Sequence, residues 1–318
     1  MSLWSLMQSL HRNDSLALAA ALGAVVCYGT TPVFLRMFID DLDSWTVNGV
    51  RYTVGALFWL PFVIALLRDR KSDSHVRPRW GVWRSALVPT VINLVGQTCW
   101  AITPYYLEAS VIGFAYKLHF LFTIVFGFLF IREERPVVRD PWFLGGTLVC
   151  VGGVVGMFLQ DLGGQSTASM VGLAVFLVTT IMFGAYAVVV RRFMAGYPAR
   201  LSFGVISLYT ASGLLVLMFL FGDYAALAET SVPTLGLVAV SAISGIAFAH
   251  VLYYRAIQGM GAIVSTGLQM ATPFVTLLGA TLILSERMTT LQAIGGLLVV
   301  AGGVMLVVAQ SRVRDRAS

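Results

Sequence analysis

The sequence predicts an all-α integral membrane protein: ten transmembrane helices arranged as two inverted five-helix repeats. Three observations lead there. Hydrophobic residues make up 58% of the 318 residues and charged residues only 11%, against about 45–50% and 25% in a soluble domain. Ten apolar stretches of roughly membrane-crossing length follow one another with short connections. The last five stretches echo residue patterns of the first five. So few charges could not cover a water-exposed surface, and the same composition excludes a disordered chain, a coiled coil and a disulfide scaffold.

The spans run Leu16–Phe38, Trp45–Leu67, Ser85–Ile102, Val111–Ile131, Trp142–Leu159, Val171–Val190, Leu201–Phe221, Leu235–Tyr254, Ala262–Leu284 and Leu291–Ala309. None shows the period-2 alternation of a β-barrel strand. His11 and Arg12 precede the first apolar run and Ala19–Ala21 imitates a cleavage site. The run continues to Phe38, too long for a signal core, and is read as a retained span. Cys27, Cys99 and Cys150 lie inside apolar runs and read as small buried hydrophobes, with no metal spacing.

Basic residues stay on the cytoplasmic side during insertion. With the N-terminus inside, seventeen of the 21 Lys and Arg fall in inside segments. They cluster at 68–84, 132–139, 191–200 and 312–316. Only Arg287 lies in an outside loop, and Arg36, Arg51 and Lys117 fall within spans. Both termini are therefore expected in the cytoplasm. The net charge of +6 records topology and implies no nucleic-acid partner.

Glu134–Arg135, Phe122 and Gly127 match Glu286–Arg287, Phe274 and Gly279 at an offset of 152. Gly145–Gly146, Gly152–Gly153 and Gln160 match Gly295–Gly296, Gly302–Gly303 and Gln310 at 150. Tyr28–Gly29 and Arg36 match Phe183–Gly184 and Arg191 at 155. The expected organisation is a cytoplasmic N-terminus (1–15), a first repeat (16–160), an outside linker (161–169), a second repeat (170–310) and a cytoplasmic C-terminus (311–318). Five spans per repeat turn the second upside down relative to the first. Inverted repeats are the architecture of alternating-access carriers that bind substrate near the midplane.

The run from Tyr253 to Gln310 closely resembles the repeat of EamA-type carriers in the drug/metabolite transporter superfamily. Ala271-Thr-Pro273-Phe, Ser285-Glu286-Arg287 and Gln292-Ala-Ile-Gly295-Gly carry the resemblance. The first half shares Arg51 and Glu133-Glu134-Arg135 but has Leu121 where its mate has Pro273. The resemblance implies a ten-helix carrier in a bacterial inner membrane, a monomer or weak homodimer, that exports amino acids or related organic anions. A broad-specificity exporter of drugs or toxic compounds, hydrophobic cations above all, is the first rival. A non-transporting assembly factor or a membrane enzyme is the second. No cofactor is implied.

Ionisable groups inside spans mark pathways or interior contacts. Lys117 sits in span 4 beside Tyr116 and His119, and its repeat mate is Gln269. Ser265, Gln269, Thr272 and Thr276 share one helical face of span 9, which must meet protein or a water-filled cavity. Lys117 and Gln269 are expected to face each other across the pseudo-two-fold axis. Alternatively, Lys117 snorkels to the interface or pairs with Glu108.

Pro89, Asn93, Gln97 and Trp100 form a second stripe in span 3. Aligning Tyr105–Tyr106 with Tyr253–Tyr254 pairs Trp100 with Phe248 and Asn93 with Ser241. This stripe reads either as a cavity wall or as helix–helix glue. The candidate substrate-binding set is Lys117, Gln269, Asn93, Gln97, Trp100, Tyr116, Phe248 and Thr272. His119 and His250 are candidates for proton coupling, or else helix-packing groups. Arg36 and Arg51 are expected to meet helix C-termini or the acidic loop Asp40–Asp41–Asp43, in structural or gating roles with Glu286. Pro32 and Pro273 are candidate helix breaks. No metalloprotease, lipase or P-loop motif is present, so the chain does not read as an enzyme.

Overall fold

The computed structural model describes residues 3–68, 79–131, 138–163, 167–260 and 262–317. Glu133, Glu134 and Arg135, and Arg70, Lys71 and Arg77, lie outside the described residues. Ten helices or helix pairs are long and apolar enough to cross a membrane, so the chain is an integral membrane protein.

Span 1 is α1 (Leu3–Met37), span 2 is α2 (Ser44–Arg68) and span 3 is α3 (Val82–Ile102). Span 4 is divided into α4 (Ala109–Ala115), a 3₁₀ turn (Tyr116–Leu118) and α5 (His119–Phe130). Spans 5, 6 and 7 are α6 (Pro141–Gly163), α7 (Thr167–Phe193) and α8 (Ala199–Phe221). The short α9 (Ala226–Glu229) lies in the connection to span 8. Span 8 combines α10 (Val232–Ala242), a π-helical stretch (Ile243–Phe248) and α11 (Ala249–Met260). Span 9 is α12 (Ala262–Gln269) followed by α13 (Thr272–Ile283), and span 10 is α14 (Thr290–Ala317).

Polar residues at the helix starts set these boundaries. Asp43 caps α2 by accepting from the backbone N–H groups of Trp45 and Thr46 at 2.8 and 3.1 Å. Thr289 and Gln292 form a reciprocal capping box at α14. Ser231 caps α10, with Pro233 in its first turn where no N–H is required. Pro273 starts α13, as expected, whereas Pro32 lies within α1 without dividing it.

The repeats are interleaved. The most extensive packings pair α6 with α14, α2 with α8, α3 with α7 and α1 with α11, each a contact between repeats. The pseudo-two-fold is visible residue by residue. A Cβ on Gly49 would meet Met218, and a Cβ on Gly204 would meet Val63, at 2.9 and 2.3 Å. The two pairs exchange at an offset of 155. Gly29 lies against Thr272 and Val275 of span 9, and its mate Gly184 against Phe122 and Thr123 of span 4.

In α6 and α14 the backbones nearly touch. A Cβ on Gly153 would lie 2.6 Å from the Gly295 carbonyl oxygen, and one on Gly146 would lie 2.9 Å from that of Gly302. These contacts exchange at 149, one less than the sequence match of 150. The doublets Gly145–Gly146 and Gly295–Gly296 permit either register, and backbone contact selects one.

Candidate functional site

Spans 4 and 9 interrupt their helices at the same place in the two repeats. The turn Tyr116–Leu118 corresponds to Leu268–Met270 at the offset of 152. At this crossing Lys117 is 4% exposed, and its Nζ donates to the Gln269 carbonyl oxygen at 2.8 Å. Thr272 Oγ1 donates to the same oxygen at 3.0 Å. Lys117 therefore neither snorkels nor turns to Glu108. It caps the C-terminal end of α12, where unpaired carbonyls favour a cation.

The polar face of span 9 meets α1. Gln269 Nε2 approaches the Ala21 carbonyl at 3.5 Å, and Thr276 Oγ1 donates to that of Gly29 at 2.7 Å. Gln269 Oε1 and Ser265 Oγ are buried and have no hydrogen-bond partner among the described residues.

Beside the crossing lies an aromatic wall. Tyr116 stacks on His119 with ring centres 4.4 Å apart and meets Trp100 at 4.9 Å and Phe183 at 5.8 Å. A second group joins Tyr28 to His250 at 5.4 Å and to Tyr253 at 6.3 Å, with His250 stacked on Phe203 at 4.1 Å. Tyr28, Tyr116, His119, Tyr186 and His250 are each half-buried.

Each histidine points Nδ1 at a backbone carbonyl, His119 at Tyr116 (2.7 Å) and His250 at Ile246 (3.1 Å). A carbonyl only accepts, so the proton is on Nδ1 and Nε2 of the neutral ring is an acceptor.

The other candidates separate. Asn93 is buried and donates to Thr210 of α8 at 3.0 Å, so it joins helices. Gln97 is half-buried, and its carbonyl accepts from Asn48. Phe248 does not join the wall. It is 47% exposed and packs edge-on against Phe58 of α2. It is the last residue of the π-helical stretch, which the sequence pairing with Trp100 did not anticipate.

Neither arginine binds the acidic loop. Arg51 is 2% exposed and reaches span 8, donating from Nε to Ser241 Oγ at 2.9 Å and from Nη2 to the Ser241 carbonyl at 3.4 Å. Arg36 donates to the Pro104 carbonyl and stands 3.7 Å from Glu286.

Glu286 closes the end of the bundle opposite the termini. Glu108 holds the N-cap position of α4 but makes no side-chain cap bond there. Glu286 of the other repeat supplies it. Its Oε1 accepts from Ala109 N–H at 3.0 Å, and its Oε2 from Ser110 N–H and Oγ at 3.0 and 3.1 Å. Ser285, with φ of 57°, holds the left-handed position after α13, and Glu286 N–H returns to the Ala280 carbonyl. Asp43 adds a further link by accepting from Asp223 N–H. Partial burial opposes its charge, but bonds from Thr46, Asp223 and Trp45 outweigh this and hold its carboxyl below the ordinary value.

Inverted five-helix repeats meeting at two interrupted spans define the class, a ten-span membrane transporter. The chain belongs to the EamA-like transporter family, which matches residues 15–159 and 170–308. A solved structure described only as "Crystal structure of protein" shares the fold, with a TM-score of 0.60 and 18% identity over 94% of this chain and 98% of that one. No curated protein matches.

Proposed function

We propose that the protein is a secondary carrier of the bacterial inner membrane, with both termini cytoplasmic. It exports small polar metabolites, amino acids or related organic anions, by alternating access around the cavity between its repeats. The observation that carries this reading is the Lys117–Gln269 crossing of two interrupted spans, where discontinuous helices in inverted-repeat carriers place substrate. Trp100, Tyr116 and Gln97 form the wall together with Tyr28, Tyr186 and Tyr253. Lys117, Gln269, Thr272 and Asn93 form the frame behind it. His119 and His250 offer acceptors for proton coupling, while Arg36, Glu286 and Pro273 govern the movement of spans. The working unit is a monomer or weak homodimer.

The test is uptake of labelled amino acids and organic anions into proteoliposomes, with and without a pH gradient. Saturable, counterflow-competent uptake of at least one is expected; a protein that moves none of them across the panel sinks the reading. The aromatic wall favours a second reading, export of hydrophobic compounds. Inhibition of uptake by hydrophobic cations rather than by organic anions would select it.

A further inference from the structure

Arg51 is a charge with no counterpart in the second repeat. At the offset of 155 that relates α2 to α8, its repeat mate is the apolar Ile206. The pseudo-symmetric contact, between spans 7 and 3, is made by the neutral pair Asn93 and Thr210. The architecture therefore builds this helix contact without a guanidinium on the other side of the axis.

Among the described residues the guanidinium bonds only to Ser241, through Nε and one terminal nitrogen. A guanidinium has five N–H donors in a planar fork suited to a carboxylate or phosphate, so donors remain. No carboxylate pairs with it among the described residues, although it is 2% exposed. A buried charge inside a membrane is retained where a ligand or pathway compensates it.

Its surroundings reach span 1. A Cβ on Gly245 would lie 2.7 Å from Thr31 Oγ1 and 3.5 Å from Arg51 Nη2. Thr31 and Ser244 keep partial exposure, and Thr31 is one turn from Tyr28 on the wall. Arg51, Lys117 and Ser241 all lie roughly 10–14 Å along their spans from the end opposite the termini, at the helical rise. The neighbouring π-helical stretch, a form that clusters at functional sites, holds the backbone open beside them.

We propose that Arg51 is the binding site for the anionic group of the substrate, a carboxylate or phosphate on a flat ring that rests against the aromatic wall. Ser241 holds the guanidinium in the empty carrier and yields it to the ligand. This proposal rests on the carrier reading and deepens it.

The experiment uses the purified full-length chain with benzoate, phenyl phosphate and the neutral benzyl alcohol as probes. Thermal shift and equilibrium binding give affinity, and proteoliposomes give uptake. Wild type is expected to bind the two anions at least tenfold more tightly than benzyl alcohol. Arg51→Gln should erase that preference, and Arg51→Lys should weaken both anions severalfold because an ammonium lacks the fork. Ser241→Ala should bind them as tightly as wild type or more so.

Equal anion affinity in wild type and in whichever Arg51 variant folds overturns the proposal, as does a wild type that prefers benzyl alcohol. Binding at Arg51 without uptake of any probe removes the carrier reading and leaves the site. Uptake that ignores both Arg51 variants removes the site and leaves the carrier.

Discussion

Lys117 Nζ lies 2.8 Å from the Gln269 carbonyl oxygen, and the two residues hold the same place in the two repeats. The bond joins span 4 of one repeat to the end of a half-helix in the other. A buried ammonium costs desolvation, and a charge-assisted bond to a helix end offsets part of it.

Replacing Lys117 with Met should change stability little, within about 1 kcal/mol, because relief of that desolvation offsets the lost bond. Uptake should fall at least tenfold. Melting of the detergent-solubilised protein and proteoliposome flux check the two halves separately, and unchanged flux would place Lys117 outside the transport cycle.

Glu286 accepts three hydrogen bonds from the start of α4 and pairs with Arg36. Glu286→Gln should lower stability by about 1–3 kcal/mol, the range for bonds to a charged group. A cysteine at Ala109, buried in the native protein, should become more reactive to a membrane-impermeant maleimide in that background. Equal labelling with and without the substitution would show that the clamp does not close this end.

Gly153→Ala and Gly295→Ala should each destabilise by about 1–3 kcal/mol, the usual cost of overpacking, since each Cβ would lie 2.6 Å from the facing carbonyl. Gly152→Ala is the control. A Cβ there meets nothing within 4 Å, so the change should be neutral or slightly stabilising. Comparable melting of all three variants would contradict the close approach of α6 and α14.

Asp43 stabilises the loop it caps when charged, and its folded pKa lies below the ordinary carboxylate value. Its contribution is present above the unfolded pKa and disappears as pH falls through the lower folded value. Wild type should lose thermal stability on acidification below about pH 4 more steeply than Asp43→Asn. Parallel melting curves for the two proteins across pH 3–6 would refute this.

Ser285→Gly should be tolerated or stabilising by a few tenths to about 1 kcal/mol, since glycine adopts positive φ without a Cβ penalty. Circular-dichroism melts are sufficient to detect the direction.

Much of this arrangement can be read in the sequence because the bilayer imposes a length and the repeat imposes a spacing. The ten spans and the pairing of Lys117 with Gln269 follow from those two constraints, and Pro273 marks the break in span 9. The break at Tyr116–Leu118 has no proline to announce it. Only its position opposite Leu268–Met270 could have marked it. The approach of Tyr28 to Tyr253 has no mark in the sequence because phenols blend into apolar runs and the two spans are far apart in the chain. The π-helical stretch at Ile243–Phe248 has no residue signature, and it is why Phe248 departs from the place its mate Trp100 suggested. Arg51 was visible as a charge, but its partner Ser241, 190 positions away, was not.

Interleaving of the repeats has a consequence for biogenesis. When span 5 leaves the ribosome, the chief packing partners of α1, α2, α3 and α6 have not yet been synthesised. The nascent first half must wait in the lipid with its close-packing glycines uncovered, and assembly can finish only after α14 arrives. A stop codon late in the gene, removing that last helix alone, would leave the entire glycine face of α6 without a mate. Such a truncation should behave as a substrate for membrane quality control rather than as a slightly shortened transporter.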